Sequence, residues 1–143
     1  MRALLAEWRD ENGSATAELV ILTPLLILLL LVVVALGRLA GARINVDGAA
    51  AQAARAASIA RSPGVAAAMA EQVATSALGS EHVTCGHLSV SVDTNDFVPG
   101  GSVAVTVSCA VALSDLTGLH LPGTETVSNR FVSPIDTYRN IDR

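Results

Sequence analysis

The chain has 143 residues, a formal net charge of −4, 51% hydrophobic residues and only 15% charged ones. This length allows one modest domain plus an anchor, and the hydrophobic surplus exceeds what a soluble domain of this size needs. The net charge of −4 argues against binding to nucleic acid, which needs a clustered basic face, and no motif for a catalytic site or a phosphate loop occurs. We therefore predict a non-enzymatic protein without a cofactor, metal or small-molecule substrate.

An uncharged apolar run lies near the N-terminus. From Leu19 to Leu36 the only residues that are not hydrocarbon are Thr23 and Pro24. A helix of this length matches a hydrocarbon core of about 30 Å. A secretory signal peptide has a shorter apolar region and a small-residue cleavage site after it, whereas here a helical pattern continues. The sequence predicts a retained transmembrane helix over residues 14–37.

A short polar segment precedes this run. If the chain is cut after Gly13, Ser14 gains a free α-amine, and Glu18 follows one helical turn later. That spacing brings the amine and the carboxylate within pairing distance, in the same subunit or in a neighbouring one. The segment thus predicts a removable leader over residues 1–13. The alternative is that Glu18 only marks the interfacial end of an ordinary membrane anchor.

An Ala-rich helical stem and a second helix are predicted over residues 38–79. The stem, from Arg38 to Arg61, places one set of apolar residues on a single face: Leu39, Val46, Ala50, Ala53 and Ala57. Gly37 and Gly41 form a small-xxx-small pair suited to helix–helix packing, although chance in an Ala/Gly-rich chain also explains them. Ser62 and Pro63 predict the start of the second helix, from about Val65 to Leu78, and Gly79 its end.

Residues 80–143 have the period of β-structure. Apolar residues alternate with polar ones over Leu88–Val92 and over Val103–Leu113, and a third strand is expected near Thr126–Ser133. The fold class predicted is α+β: a long N-terminal transmembrane helix that continues as an Ala-rich spine, a second helix and a small antiparallel C-terminal β-sheet. The stem or the second helix is expected to cover one face of that sheet.

Two cysteines, Cys85 and Cys109, flank the first predicted hairpin. An even number of cysteines in an exported domain favours a disulfide. The first alternative is a zinc site in which His82 and His87 join the two cysteines as ligands. The spacing of these residues matches no standard zinc pattern. Free buried thiols are the third possibility.

Different sequence features predict opposite orientations of the chain in the membrane. The stem carries four arginines against Asp47 alone, and a positive-inside count would place the C-terminal part in the cytoplasm. The cysteines and the leader motif favour the opposite side. We predict an extracytoplasmic C-terminal domain.

Taken together, these features resemble the TadE/TadF-like family of minor pseudopilins of the tight-adherence, type IV-like pilus system. The resemblance rests on Gly13, Glu18, the early Thr23-Pro24 in the apolar run and the Ala-rich stretch from Val46 to Ala57, and extends to the β-rich ending. Its most specific part is Gly13 to Arg61.

This resemblance implies cleavage by a prepilin peptidase and a structural role in assembling or priming tight-adherence pili. The partners implied are membrane lipid, other pilins or pseudopilins and the peptidase. The location implied is the cell membrane, and a cell-surface pilus after assembly. The alternative function is a membrane-tethered extracytoplasmic binding module that never enters a filament.

Overall fold

The computed structural model describes residues 11–81, 84–114, 122–138 and 140, with side chains from Leu19 onward. The elements in chain order are helices α1 (Glu11–Ser58) and α2 (Pro63–Ser80) and strands β1 (His87–Asp93), β2 (Ser102–Ala112) and β3 (Thr124–Pro134). The predicted α+β class is confirmed.

Helix α1 is a single element of 48 residues. Its first part is rich in Leu and its second part in Ala, and both residues are strong helix formers. Pro24 lies inside the helix, where it cannot donate a backbone hydrogen bond. The helix also passes through Gly37, so the predicted membrane and stem segments are parts of one rod.

Helices α1 and α2 pack through alanine. On α1 the residues from Val46 to Ala57 that face inward are almost fully buried, and on α2 the buried face consists of Ala66, Ala70, Ala74 and Leu78. These residues belong to one hydrophobic core. Small side chains let two helix backbones approach closely, which compensates for the small area that each alanine buries. The predicted apolar stem face is therefore confirmed, with Leu39 only partly buried at its membrane end.

The connection to α2 has the predicted capping residues. Ser62 has an extended backbone conformation, and its side-chain oxygen accepts a hydrogen bond of 3.4 Å from the Val65 amide. Pro63 occupies the first turn, where the missing amide hydrogen costs nothing. The predicted end at Gly79 is wrong by one residue: α2 continues to Ser80, and the Glu81 amide donates to the Gly79 carbonyl.

The three strands form an antiparallel meander in the order β1-β2-β3. In the register of β1 on β2, Val90 is opposite Val107, and in that of β2 on β3, Val107 is opposite Asn129. Alternate residues of β2 point toward the helices and are almost fully buried: Val103, Val105, Val107, Cys109 and Val111. Both helices cover this face, since α1 contacts β2 and β3 and α2 contacts β1.

A loop over residues 94–101 joins β1 to β2. Phe97 is buried within it, and the Asp96 carboxylate accepts a hydrogen bond of 3.1 Å from the Ser102 amide. Gly100 has a φ of +81°, a conformation that L-residues with side chains rarely adopt. Residues 94–101 thus form one compact connection.

Candidate membrane and assembly segment

The predicted processing residues lie in the first two turns of α1. The backbone of Gly13, Ser14 and Glu18 is helical, while residues 1–10 of the predicted leader lie outside the described residues. Ser14 and Glu18 are one helical turn apart along this helix, which is the spacing that the pairing hypothesis needs. Cleavage after Gly13 and pairing of the new amine with Glu18 stay predictions.

The apolar segment of α1 packs against nothing else in the described chain. Large hydrophobic residues from Leu19 to Leu36 are exposed, with Val20 at 71% and Leu28 at 61%. The segment is long and apolar enough to span a membrane, and none of its most apolar window is buried. The core helix of a soluble protein would bury such residues, so this surface is suited to contact with a bilayer or with partner helices.

Thr23 forms a local hydrogen bond beside Pro24. Its hydroxyl donates a hydrogen bond of 2.6 Å to the Leu19 carbonyl, one turn earlier. The bond satisfies the polar hydroxyl group within the apolar segment, where no water is available. The helix continues through Pro24 to Ser58.

Gly37 and Gly41 lie at the end of the apolar segment. A Cβ atom built on either glycine would meet no atom within 4 Å. The fold of a single chain therefore does not need these residues to be glycine. Their predicted role in packing against helices of other subunits stays a prediction.

Burial begins immediately after the apolar segment. Leu39 packs against the hydrophobic core, and Ala42 is only 8% exposed. Arg38 and Arg43 are exposed at the same level of the helix. The folded domain therefore starts within one helical turn of the apolar segment.

A disulfide joins Cys85 to Cys109, with the sulfur atoms 1.98 Å apart. It links the residues that precede β1 to the core face of β2, where Cys109 is fully buried. The disulfide preferred from the sequence is thus present. The alternative zinc site is overturned, because both sulfurs are consumed by this bond, while His82 lies outside the described residues.

Two polar contacts link β3 to other elements of the fold, one to α1 and one to β1. Asn129, on the core side of β3, donates through its side-chain amide to the Asp47 carboxylate on α1. Arg130 points to the other face, where its guanidinium is 3.1 Å from the Asp93 carboxylate of β1. Sequence reasoning had not identified Asn129, since a single Asn in a strand carries no pattern signal.

The comparisons with known proteins bear on the N-terminal part of the chain. No curated protein and no solved structure matches the chain significantly. A family model described as "TadE-like protein" matches residues 13–55. This range contains Gly13, Glu18, the apolar segment and most of the stem, and the resemblance drawn from the sequence is confirmed there. Over residues 13–55 the chain is similar to TadE-like proteins.

Proposed function

We propose that this chain is a minor pseudopilin that takes part in assembling or priming a tight-adherence pilus. The TadE-like family is a pilus-associated structural family that is not known for catalysis, so the role is structural. The observation that carries the proposal is the continuity of α1. One helix joins the leader boundary, the exposed apolar segment and the buried stem of the domain.

The exposed apolar segment is covered first by membrane lipid and then, in the filament, by partner helices. In the membrane, lipid chains cover the side chains from Leu19 to Leu36. In a filament, the corresponding surfaces of partner helices replace the lipid. Helix association in such a setting depends on close packing at small residues, which Gly37 and Gly41 supply. The partners are therefore other pilins or pseudopilins.

The processing step has its own structural requirements. A peptidase needs access to the bond after Gly13, and Asn12, Gly13 and Ser14 are all weaker helix formers than Ala or Leu. Their position in the first turn of α1 makes local opening inexpensive. Cleavage exposes the Ser14 amine, and Glu18 neutralises it or the amine of a neighbouring subunit. A neutralised pair enters an apolar environment at lower cost than a lone carboxylate.

The orientation proposed is a C-terminal domain outside the cytoplasm. The disulfide between Cys85 and Cys109 supports it, because such bonds form and persist in oxidising compartments. The charge count of the stem still points the other way.

The test is intact-mass analysis of the full chain expressed in a bacterial membrane, with and without a co-expressed prepilin peptidase and without reduction. We expect a product that starts at Ser14 and keeps the disulfide, and expect Gly13→Leu to abolish cleavage. Glu18→Gln is the companion variant, which should be cleaved but should fail to co-purify with pilins. A chain that keeps its first thirteen residues beside an active peptidase would contradict the pseudopilin and favour the tethered binding module.

A further inference from the structure

Strand β1 forms one edge of the sheet, and the direction of its backbone groups follows from the hydrogen bonds of β2. At the two ends of β2 the Ile135 amide donates to the Gly101 carbonyl and the Leu113 amide donates to the Gly123 carbonyl. Antiparallel strands exchange hydrogen bonds at alternate positions, so the odd-numbered residues of β2 bond to β3 and the even-numbered ones to β1. Three residues of β1 therefore direct their amides and carbonyls away from the sheet: Leu88, Val90 and Val92.

The β1 edge is open. No described residue forms a hydrogen bond with the outward amides or carbonyls of these three residues. Their side chains lie on the core side but are only partly buried, whereas Val105 and Val107 of β2 are fully buried. β1 contains neither proline nor lysine, which natural proteins use to keep strand edges from pairing. An added strand would satisfy the backbone groups and complete the core face.

The opposite edge of the sheet, formed by β3, is closed at its centre. There the outward Arg130 amide donates a hydrogen bond of 2.8 Å to the side-chain carbonyl of Asn129. The amide group of the same side chain donates to the Asp47 carboxylate on α1. A further strand at this edge would lack the Arg130 donor and would approach the exposed carboxylate of Asp47. The sheet therefore has one open edge and one closed edge.

The course of α1 argues against a second copy of this chain at the open edge. Two β1 edges that pair with their core faces on the same side are related by a twofold axis perpendicular to the sheet. This axis reverses the direction of α1, which lies against the sheet. The two apolar segments would then point in opposite directions and could not share one bilayer. Pairing of β1 with β3 of a second copy would meet the closed edge.

We propose that the β1 edge binds an extended strand of a different pseudopilin, which joins the sheet through backbone hydrogen bonds. In such strand addition the main chain gives affinity and alternate side chains give specificity. On the core side, apolar residues of the partner strand continue the row formed by Leu88, Val90 and Val92. On the other side, small hydroxyl residues lie beside Ser89 and Ser91. The proposal rests on the proposed function, because a neighbouring subunit in the same membrane supplies the strand.

The test uses the full chain in detergent micelles and a soluble probe for the edge. The probe is a blocked peptide in which valine and threonine alternate, and its control has the same composition with all valines in one block. NMR measures hydrogen exchange at the amides of Leu88, Val90 and Val92. With the alternating peptide at about four times its dissociation constant, we expect exchange there to slow about fivefold, because only the unoccupied edge exchanges. Exchange at the Ser128 and Val132 amides of β3 should not change.

Two proline variants give a matched comparison of the two edges. Val90→Pro removes an outward amide from β1 and Val132→Pro removes one from β3, and an edge strand tolerates proline at such positions. We expect Val90→Pro to abolish the slowing at Leu88 and Val92, and Val132→Pro to preserve it. Asn129→Ala frees the Arg130 amide, so the peptide should then slow exchange at Arg130 as well. The amide spectrum of the core and the intact disulfide verify that each variant is folded.

Three results would overturn the proposal: unchanged exchange at β1 with the alternating peptide, equal slowing with the block peptide, or slowing at β1 when the chain alone is concentrated. The last result would make a second copy the occupant. The exchange data of the unaltered chain decide these points without any variant. Each result can occur in a chain that is cleaved correctly at Ser14, so failure of this proposal and failure of the pseudopilin function are distinguishable.

Discussion

Asn129 of β3 donates a hydrogen bond to the carboxylate of Asp47 on α1, across 82 positions of sequence. The contact joins the last strand of the sheet to the helix that continues into the membrane. Asp47 is also the only acidic residue between Glu18 and Glu71, so its position in a basic stem has a structural reason.

This contact yields a first prediction. Asp47→Ala should lower the free energy of unfolding by about 1 kcal/mol, because a hydrogen bond to a charged group is lost at a partly exposed site. Asn129→Ala should cost about as much, and the double variant little more than either single one, since both remove the same bond. Urea unfolding of the oxidised protein in detergent micelles measures all three. Additive losses would show that the two residues act independently.

A second prediction concerns the disulfide. Cys109→Ala should lower stability by about 3 kcal/mol, because the bond closes a loop over a separation of 24 residues. Reduction of the unaltered chain should have a comparable effect on the unfolding midpoint. Cys85→Ser separates the loss of the disulfide from the loss of core packing. Cys85 is only partly buried, and its replacement leaves the Cys109 side chain in the core. An unchanged midpoint after reduction would mean that packing alone holds β1 in place.

Alanine packing between the two helices gives a third prediction. Ala70 is fully buried on α2, so Ala70→Leu should overpack the interface at a cost of about 1–3 kcal/mol. Ala68 is exposed on the same helix, and Ala68→Leu should change stability by less than about 0.5 kcal/mol. Thermal unfolding of the two variants side by side tests this. Equal tolerance of both leucines would indicate a loose helix interface.

The glycine pair at the end of the apolar segment allows a fourth prediction. Since no atom lies within 4 Å of a Cβ at Gly37 or Gly41, leucine at both positions should leave the single-chain fold intact. The same change should weaken association between subunits, because it blocks close approach of partner helices.

Energy transfer between labelled full chains in nanodiscs measures that association. Gly64→Leu is the control: it adds a leucine at a glycine that is equally open but lies on α2. Unchanged association for the Gly37/Gly41 double variant would remove the packing hypothesis.

Periodicity predicted most of the fold. The alternation of Val103, Val105 and Val107 indicated the buried face of β2 because a strand repeats every two residues. Ser62 before Pro63 indicated the start of α2 because both residues satisfy known requirements of a first helical turn. Local chemistry sufficed in these cases.

Long-range relations were beyond the reach of such patterns. The choice between a disulfide and a zinc site depended on whether Cys85 and Cys109 meet, which the spacing alone did not decide. The contact of Asn129 with Asp47 depends on the register of β3 and on the rotation of α1, and neither is encoded locally. The end of α2 was misjudged because an exposed glycine is tolerated within a helix.

The unbroken course of α1 has a mechanical consequence. Because its C-terminal half is part of the domain core, turning or lifting the membrane half turns or lifts the sheet with it. A pull along the helix axis shears α1 against β2, β3 and α2. These elements contact α1 through apolar side chains and through the Asp47–Asn129 hydrogen bond. The disulfide joins the segment before β1 to β2 and does not involve α1. It therefore strengthens the sheet and not the attachment of the sheet to α1.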